Sequence, residues 1–156
     1  MKNNFSKSVV LILAFAFPCY YVMDHLLITT TASLKYRYFW KTDKTPEKGD
    51  YLLFTFNHPL LGKDDMTVTK KIACAEGSRL AVKNRIFYCD GKILGQAKEK
   101  SLRGDRLPLF EYNGVIPEGK LFLTGQHPDS FDSKYWGFFD LKQTYQVVFP
   151  LAKGWL

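Results

Sequence analysis

No CxxC pair, no HExxH and no cluster of histidines occurs anywhere in the chain. A metal centre needs several such donors at close spacing, so no metal and no cofactor is expected. Internal repeats and low-complexity linkers are also missing. At 156 residues the chain has room for one domain with a real core. Its net charge of +7 raises the question of a polyanion partner. Lys and Arg are scattered from Lys2 to Lys153, however, with no dense block or basic helical stripe. No nucleic-acid partner is therefore expected, and a solvated surface near anionic lipid accounts for the charge.

Charge is absent from one stretch in particular. Lys2 and Lys7 precede VVLILAFAFPCYYVM, Val9 to Met23, which carries none. Extended through Asp24 and His25 to Ile28, the segment reaches the roughly 20 residues that a bilayer span requires. Pro18 is tolerable in a membrane helix. The flanking lysines favour a cytoplasmic N-terminus. The expected organisation is a short cytoplasmic tail (1–7), a single-pass anchor (8–28) and an extracytoplasmic domain (29–156). A cleavable signal peptide could use Ala14-Phe15-Ala16, but its apolar core would shrink to Val9–Leu13, which is short for that role. A lipoprotein site at Cys19 is disfavoured by bulky Phe17 and Pro18 before the thiol. Cys74 and Cys89 fall in the exported part, where a disulfide and two free buried thiols are both open.

Beyond Ile28 helical periodicity is weak. Short apolar or alternating runs take its place: 51–56, 67–75, 79–82, 86–89, 121–124 and 145–149. Glu47-Lys48-Gly49-Asp50, Asp90-Gly91, Asn113-Gly114 and Pro117-Glu118-Gly119 punctuate them as turns, and Asp90-Gly91 marks a hairpin over 86–94. This density of short strands predicts a mainly β domain, a sandwich or barrel. The polar stretch 96–106 reads as a surface excursion.

Catalysis needs a nucleophile and a base. Ser33 sits in TTTASLKYRYFW, directly after the anchor, where an ordinary Ser/Thr linker is the plain alternative. In MTVTKKIACAEG, strand alternation puts Val68, Lys70, Ile72 and Cys74 on one face and Lys71 on the other. Lys70 is thus flanked by apolar groups. Desolvation lowers a lysine's pKa and suits it to act as a general base. On an edge strand, the same two lysines would simply be solvated.

Together, Thr31-Ala32-Ser33-Leu34, Gly49-Asp50-Tyr51, Lys70-Lys71-Ile72 and the block from Gly125 to Gly137, GQHPDSFDSKYWG, resemble a type I signal peptidase of the Ser/Lys class. The likeness is to the plasmid conjugative-transfer branch, which processes pilin precursors. The resemblance implies a mainly β, signal-peptidase-like catalytic domain of barrel or sandwich form behind one N-terminal transmembrane helix. It implies a serine-type endopeptidase in a bacterial inner membrane, with its catalytic domain on the periplasmic side and other conjugative transfer proteins as candidate partners. By the resemblance, Ser33 is the nucleophile and Lys70 the general base. Thr31 assists the oxyanion hole, Ser130 orients the lysine, Asp132 is a structural acid, and Ser133 and Lys134 continue the motif. The family substrate lies extended, with small side chains one and three residues before the cut.

This chain departs from the family pattern in places. Lys35-Tyr36 stands where a proline usually follows the nucleophile. Glu76-Gly77-Ser78 replaces Pro-Gly-Asp, and Lys71 and Lys134 replace arginines. No reacting group is lost. A Ser-His-Asp arrangement of Ser33, His127 and Asp129 or Asp132 is a weaker alternative, because His127 precedes a proline in a motif that does not need it as base. A non-catalytic, membrane-anchored pilus scaffold is the rival from another class. Within the family reading, the acyl-enzyme could be attacked by water or by a pilin amine that closes a ring.

Overall fold

The computed structural model describes residues 2–30, 33–62 and 64–153. Helix α1 spans Lys2–His25, with Pro18 inside it. From Lys7 to His25 it is long and apolar enough to cross a membrane, and none of that window is buried in the fold. From its apolar composition this segment is expected to run on to Ile28. The helix instead stops at His25, because Leu26–Ile28 (β1) pairs antiparallel with Tyr36–Thr42 (β2), Leu27 lying opposite Phe39. His25 stacks between Tyr21 and Trp40, with ring centroids 4.1 and 5.3 Å away, and so joins the helix end to β2.

The remaining strands are Tyr51–Phe56 (β3), Met66–Ala75 (β4), Arg79–Lys83 (β5), Ile86–Cys89 (β6), Lys92–Gln96 (β7), Gly114–Val115 (β8) and Lys120–Thr124 (β9). A four-residue helix, Ser133–Trp136 (α2), precedes Phe139–Asp140 (β10) and Tyr145–Lys153 (β11). Among the described residues, seven strands form one antiparallel sheet in the order β1-β2-β11-β3-β4-β9-β10, and four form another, β7-β6-β5-β8. The molecule is mainly β behind one apolar helix. At the β6–β7 hairpin, Asp90 and Gly91 take φ of 50° and 78°. Those left-handed values are what an Asp-Gly two-residue hairpin requires.

The strand β3 is apolar on both faces because both are covered. Leu52 and Phe54 join Ile72, Leu121, Leu123, Phe139 and Val147 on one side. On the other, Tyr51 packs with Leu34, Phe39 and Val148. Leu34 thereby pins the segment just after Ser33 onto the sheet. A third cluster, with Leu80, Phe87, Ile116 and Phe122, fills the space between the sheets. Cys74 of β4 and Cys89 of β6 are disulfide-bonded across it, Cα to Cα 5.8 Å. Asp90 lies beside these sulfurs, but two sulfurs bonded to each other offer no thiolate pair to a metal. Strand β4 is therefore held by β3, by β9 and by a covalent link to the smaller sheet.

Candidate active site

Lys70 lies on β4 directly across from Leu52 of β3, and so faces the apolar side of the sheet. It is only 6% exposed. Its amine donates a hydrogen bond to Ser130 Oγ at 2.8 Å. Burial pushes its pKa down to about 8; the carboxylate of Asp132 opposes that fall, and the ammonium of Lys134 adds to it. Desolvation wins because no carboxylate contacts Lys70 directly among the described residues. Lys71, on the opposite face and paired with Tyr51 and Thr124, is half-exposed.

Ser130 is held by the chain on either side of it. Asp132 is fully buried and caps α2, its carboxylate accepting the backbone N–H of Lys134 at 3.1 Å. The same carboxylate accepts the N–H of Gly125 at 2.9 Å and the Lys134 amine at 2.7 and 2.8 Å. A buried carboxylate is tolerable when its charge and lone pairs are met in this way. Ser133 Oγ accepts the N–H of Leu123 at 2.9 Å, tying α2 to β9. Ser130 N–H in turn donates to the carbonyl of His127 at 3.0 Å. These bonds fix the block to the strand next to β4, which is why Ser130 meets Lys70.

The same block grips the Ser33 segment. The Ser33 carbonyl accepts the N–H groups of Gln126 at 2.7 Å and His127 at 3.2 Å. Gln126 Oε1 accepts the Lys35 N–H at 2.9 Å. Ser33, Lys70 and Ser130 line one cavity of about 180 Å³, whose apolar walls include Phe56, Met66, Val68 and Trp136. Strand β4 pairs with β3 throughout 66–71, but with β9 only from Lys71 onward. Among the described residues, the far edge of Met66–Lys70 is therefore bare, and it runs past the cavity to Lys70.

The expected residues Ser33, Lys70, Ser130, Asp132 and Ser133 are thus brought together, while Thr31 lies outside the described residues. His127 is not among the residues lining the Ser33 cavity. Its Nδ1 accepts the Asp129 N–H at 3.2 Å and borders a different hollow. Gly125 has a role that its residue type alone does not reveal. A Cβ there would fall 1.9 Å from Ser130 Oγ and 3.1 Å from the Ser33 carbonyl oxygen. Only a glycine lets the two serine segments close over this point. Its place at the head of the motif was the available signal.

A family model for signal peptidase, peptidase S26, matches residues 3–150. No curated protein matches the chain. Among solved structures, a signal peptidase I from Enterococcus faecalis V583 is similar, at 21% identity and a TM-score of 0.41, over 71% of this chain and 100% of that one. The family match takes in the apolar helix, the buried lysine and the whole of the Gly125–Gly137 block, and the chain belongs to the signal peptidase family, peptidase S26, serine peptidases that act on precursor proteins.

Proposed function

We propose that the chain is a membrane-anchored endopeptidase that works by a Ser33 nucleophile and a Lys70 general base. The observation that carries this reading is the buried Lys70 amine, bonded to Ser130 and lining one cavity with Ser33. With a pKa near 8 it is neutral in a useful fraction of molecules at physiological pH. A serine hydroxyl is a poor nucleophile until such an amine takes its proton.

In the proposed cycle, Ser33 Oγ attacks the scissile carbonyl carbon and passes its proton to Lys70 Nζ. The oxyanion is met by the Ser33 N–H and the Thr31 hydroxyl, each contributing about 3 kcal/mol. Collapse breaks the C–N bond, and the Lys70 ammonium returns its proton to the leaving amine. The acyl group is then an ester on Ser33. Either water hydrolyses it, or a substrate amine attacks and restores an amide. Ser130 keeps the Lys70 amine aimed, and Asp132 with Ser133 keeps Ser130 in place.

The bare edge of Met66–Lys70 supports an extended substrate that adds as a strand, with small side chains turned into the 180 Å³ cavity. An anchor through the helical residues 7–25, with the β domain that follows outside a bacterial inner membrane, brings that edge to where a precursor's apolar segment ends. We take the substrate to be a conjugative pilin precursor, with other transfer proteins as neighbours.

The test is pilin processing in cells that carry Ser33→Ala or Lys70→Ala. Both variants should accumulate in the membrane and leave the precursor uncut. Normal yields of mature pilin from both would overturn the dyad and favour a scaffold role. The mass of the mature pilin decides the acceptor, since a ring is lighter than the linear product by one water.

A further inference from the structure

On the Lys71 face of the large sheet lies a second hollow, of about 410 Å³. Lys35, Lys48 and Lys71 line it together with Leu94, Gly125 and Gln126, and no Asp or Glu among the described residues does. Lys48 is paired with Asp90 at 3.1 Å. The amines of Lys35 and Lys71 have no carboxylate partner among the described residues. Two cations without a carboxylate partner, beside a third that Asp90 already pairs, make a concave site a receptor for negative charge.

Its position says which negative charge. A chain that adds along the bare edge of Met66–Lys70 cannot continue in line, because β9 occupies that edge from Lys71 onward. It must turn aside where Thr124 leads into Gly125 and Gln126. Those three residues border the lysine hollow, and Gln126 also holds the Ser33 carbonyl. With the acyl half seated in the 180 Å³ cavity, the half that follows the scissile bond is delivered to the lysines. We propose that this hollow is a leaving-side subsite that selects substrates with Asp or Glu in the first few residues after the cut. The proposal rests on the peptidase reading and adds its substrate class.

The test uses the full-length protein in detergent micelles. Internally quenched peptides share one acyl half and differ only in an acidic, amide or basic leaving half. At low salt the acidic peptide should show a KM about tenfold below the amide peptide, with the gap closing at about 0.5 M salt. Lys35→Glu with Lys71→Glu should invert the preference towards the basic peptide. The Lys→Gln pair should erase the preference without inverting it, which separates lost charge from lost folding. Equal KM values for the three peptides would overturn the subsite. So would a double variant that loses affinity for phosphatidylglycerol vesicles but keeps the peptide preference, because the hollow would then serve lipid. If no peptide is cut, the peptidase reading fails by itself. Anisotropy of a labelled leaving half on Lys70→Ala protein still judges the subsite: acidic binding lost in the Glu variant supports it, and charge-blind binding overturns it.

Discussion

Replacing Lys70 by methionine removes an ammonium from the interior and leaves a side chain of similar length and volume. A lysine whose pKa falls from 10.5 to about 8 carries a penalty of about 3 kcal/mol on its charged form. The unfolded chain holds that proton up to about pH 10.5, the folded one only to about pH 8. Folding therefore bears the full penalty below pH 8, and the penalty is relieved as pH rises from 8 to 10.5. The substitution also removes the bond to Ser130 Oγ, a loss of about 1 kcal/mol. Lys70→Met should thus be inactive yet more stable by about 2 kcal/mol near pH 7, and within about 1 kcal/mol of the parent near pH 10. Urea unfolding in detergent micelles at both pH values measures the two gaps. A variant less stable than the parent at neutral pH, or a gap that does not change with pH, would refute the desolvation argument.

Other substitutions probe the frame around that lysine. Gly125→Ala should cut the rate about 100-fold or more in a peptide-cleavage assay, because its methyl group displaces Ser130. Asp132→Asn leaves the Lys134 ammonium buried without its partner and should destabilise by about 3–5 kcal/mol in urea unfolding, with Asp132→Asn/Lys134→Met recovering much of the loss. Reducing the Cys74–Cys89 bond, which closes a 15-residue separation, should lower unfolding free energy by about 3 kcal/mol, read as a lower urea midpoint.

The strands that were legible in the sequence are those buried against a core. Tyr51–Phe56 and Ile86–Cys89 emerge with the bounds their apolar runs suggest, and Arg79–Lys83 differs by one residue. In β2, by contrast, only Phe39 is fully buried, so Tyr36–Thr42 shows no clean alternation and reads as a linker. The end of α1 was hidden for another reason. Leu26–Ile28 is apolar enough to continue a helix, and only pairing with β2 makes it a strand. The helix α2 is too short for any period to show, and it exists because Asp132 caps it. At the site, the burial of Lys70 was readable from strand parity, whereas Ser33, Ser130 and Asp132 stood out only through the resemblance of their motifs. The contact between Gly125 and Ser130 was not readable, because it depends on a close approach between segments distant in sequence.

Catalysis by this dyad requires that an acyl group form on Ser33 with Lys70 taking the proton. Rapid quenching with an ester-activated peptide, followed by mass mapping across a pH series, tests both halves together. The predicted result is one adduct, on Ser33, forming at a rate that rises with pH and levels off above an apparent pKa near 8. An adduct on another residue, or a Ser33 acylation rate indifferent to pH and to Lys70→Ala, would contradict it.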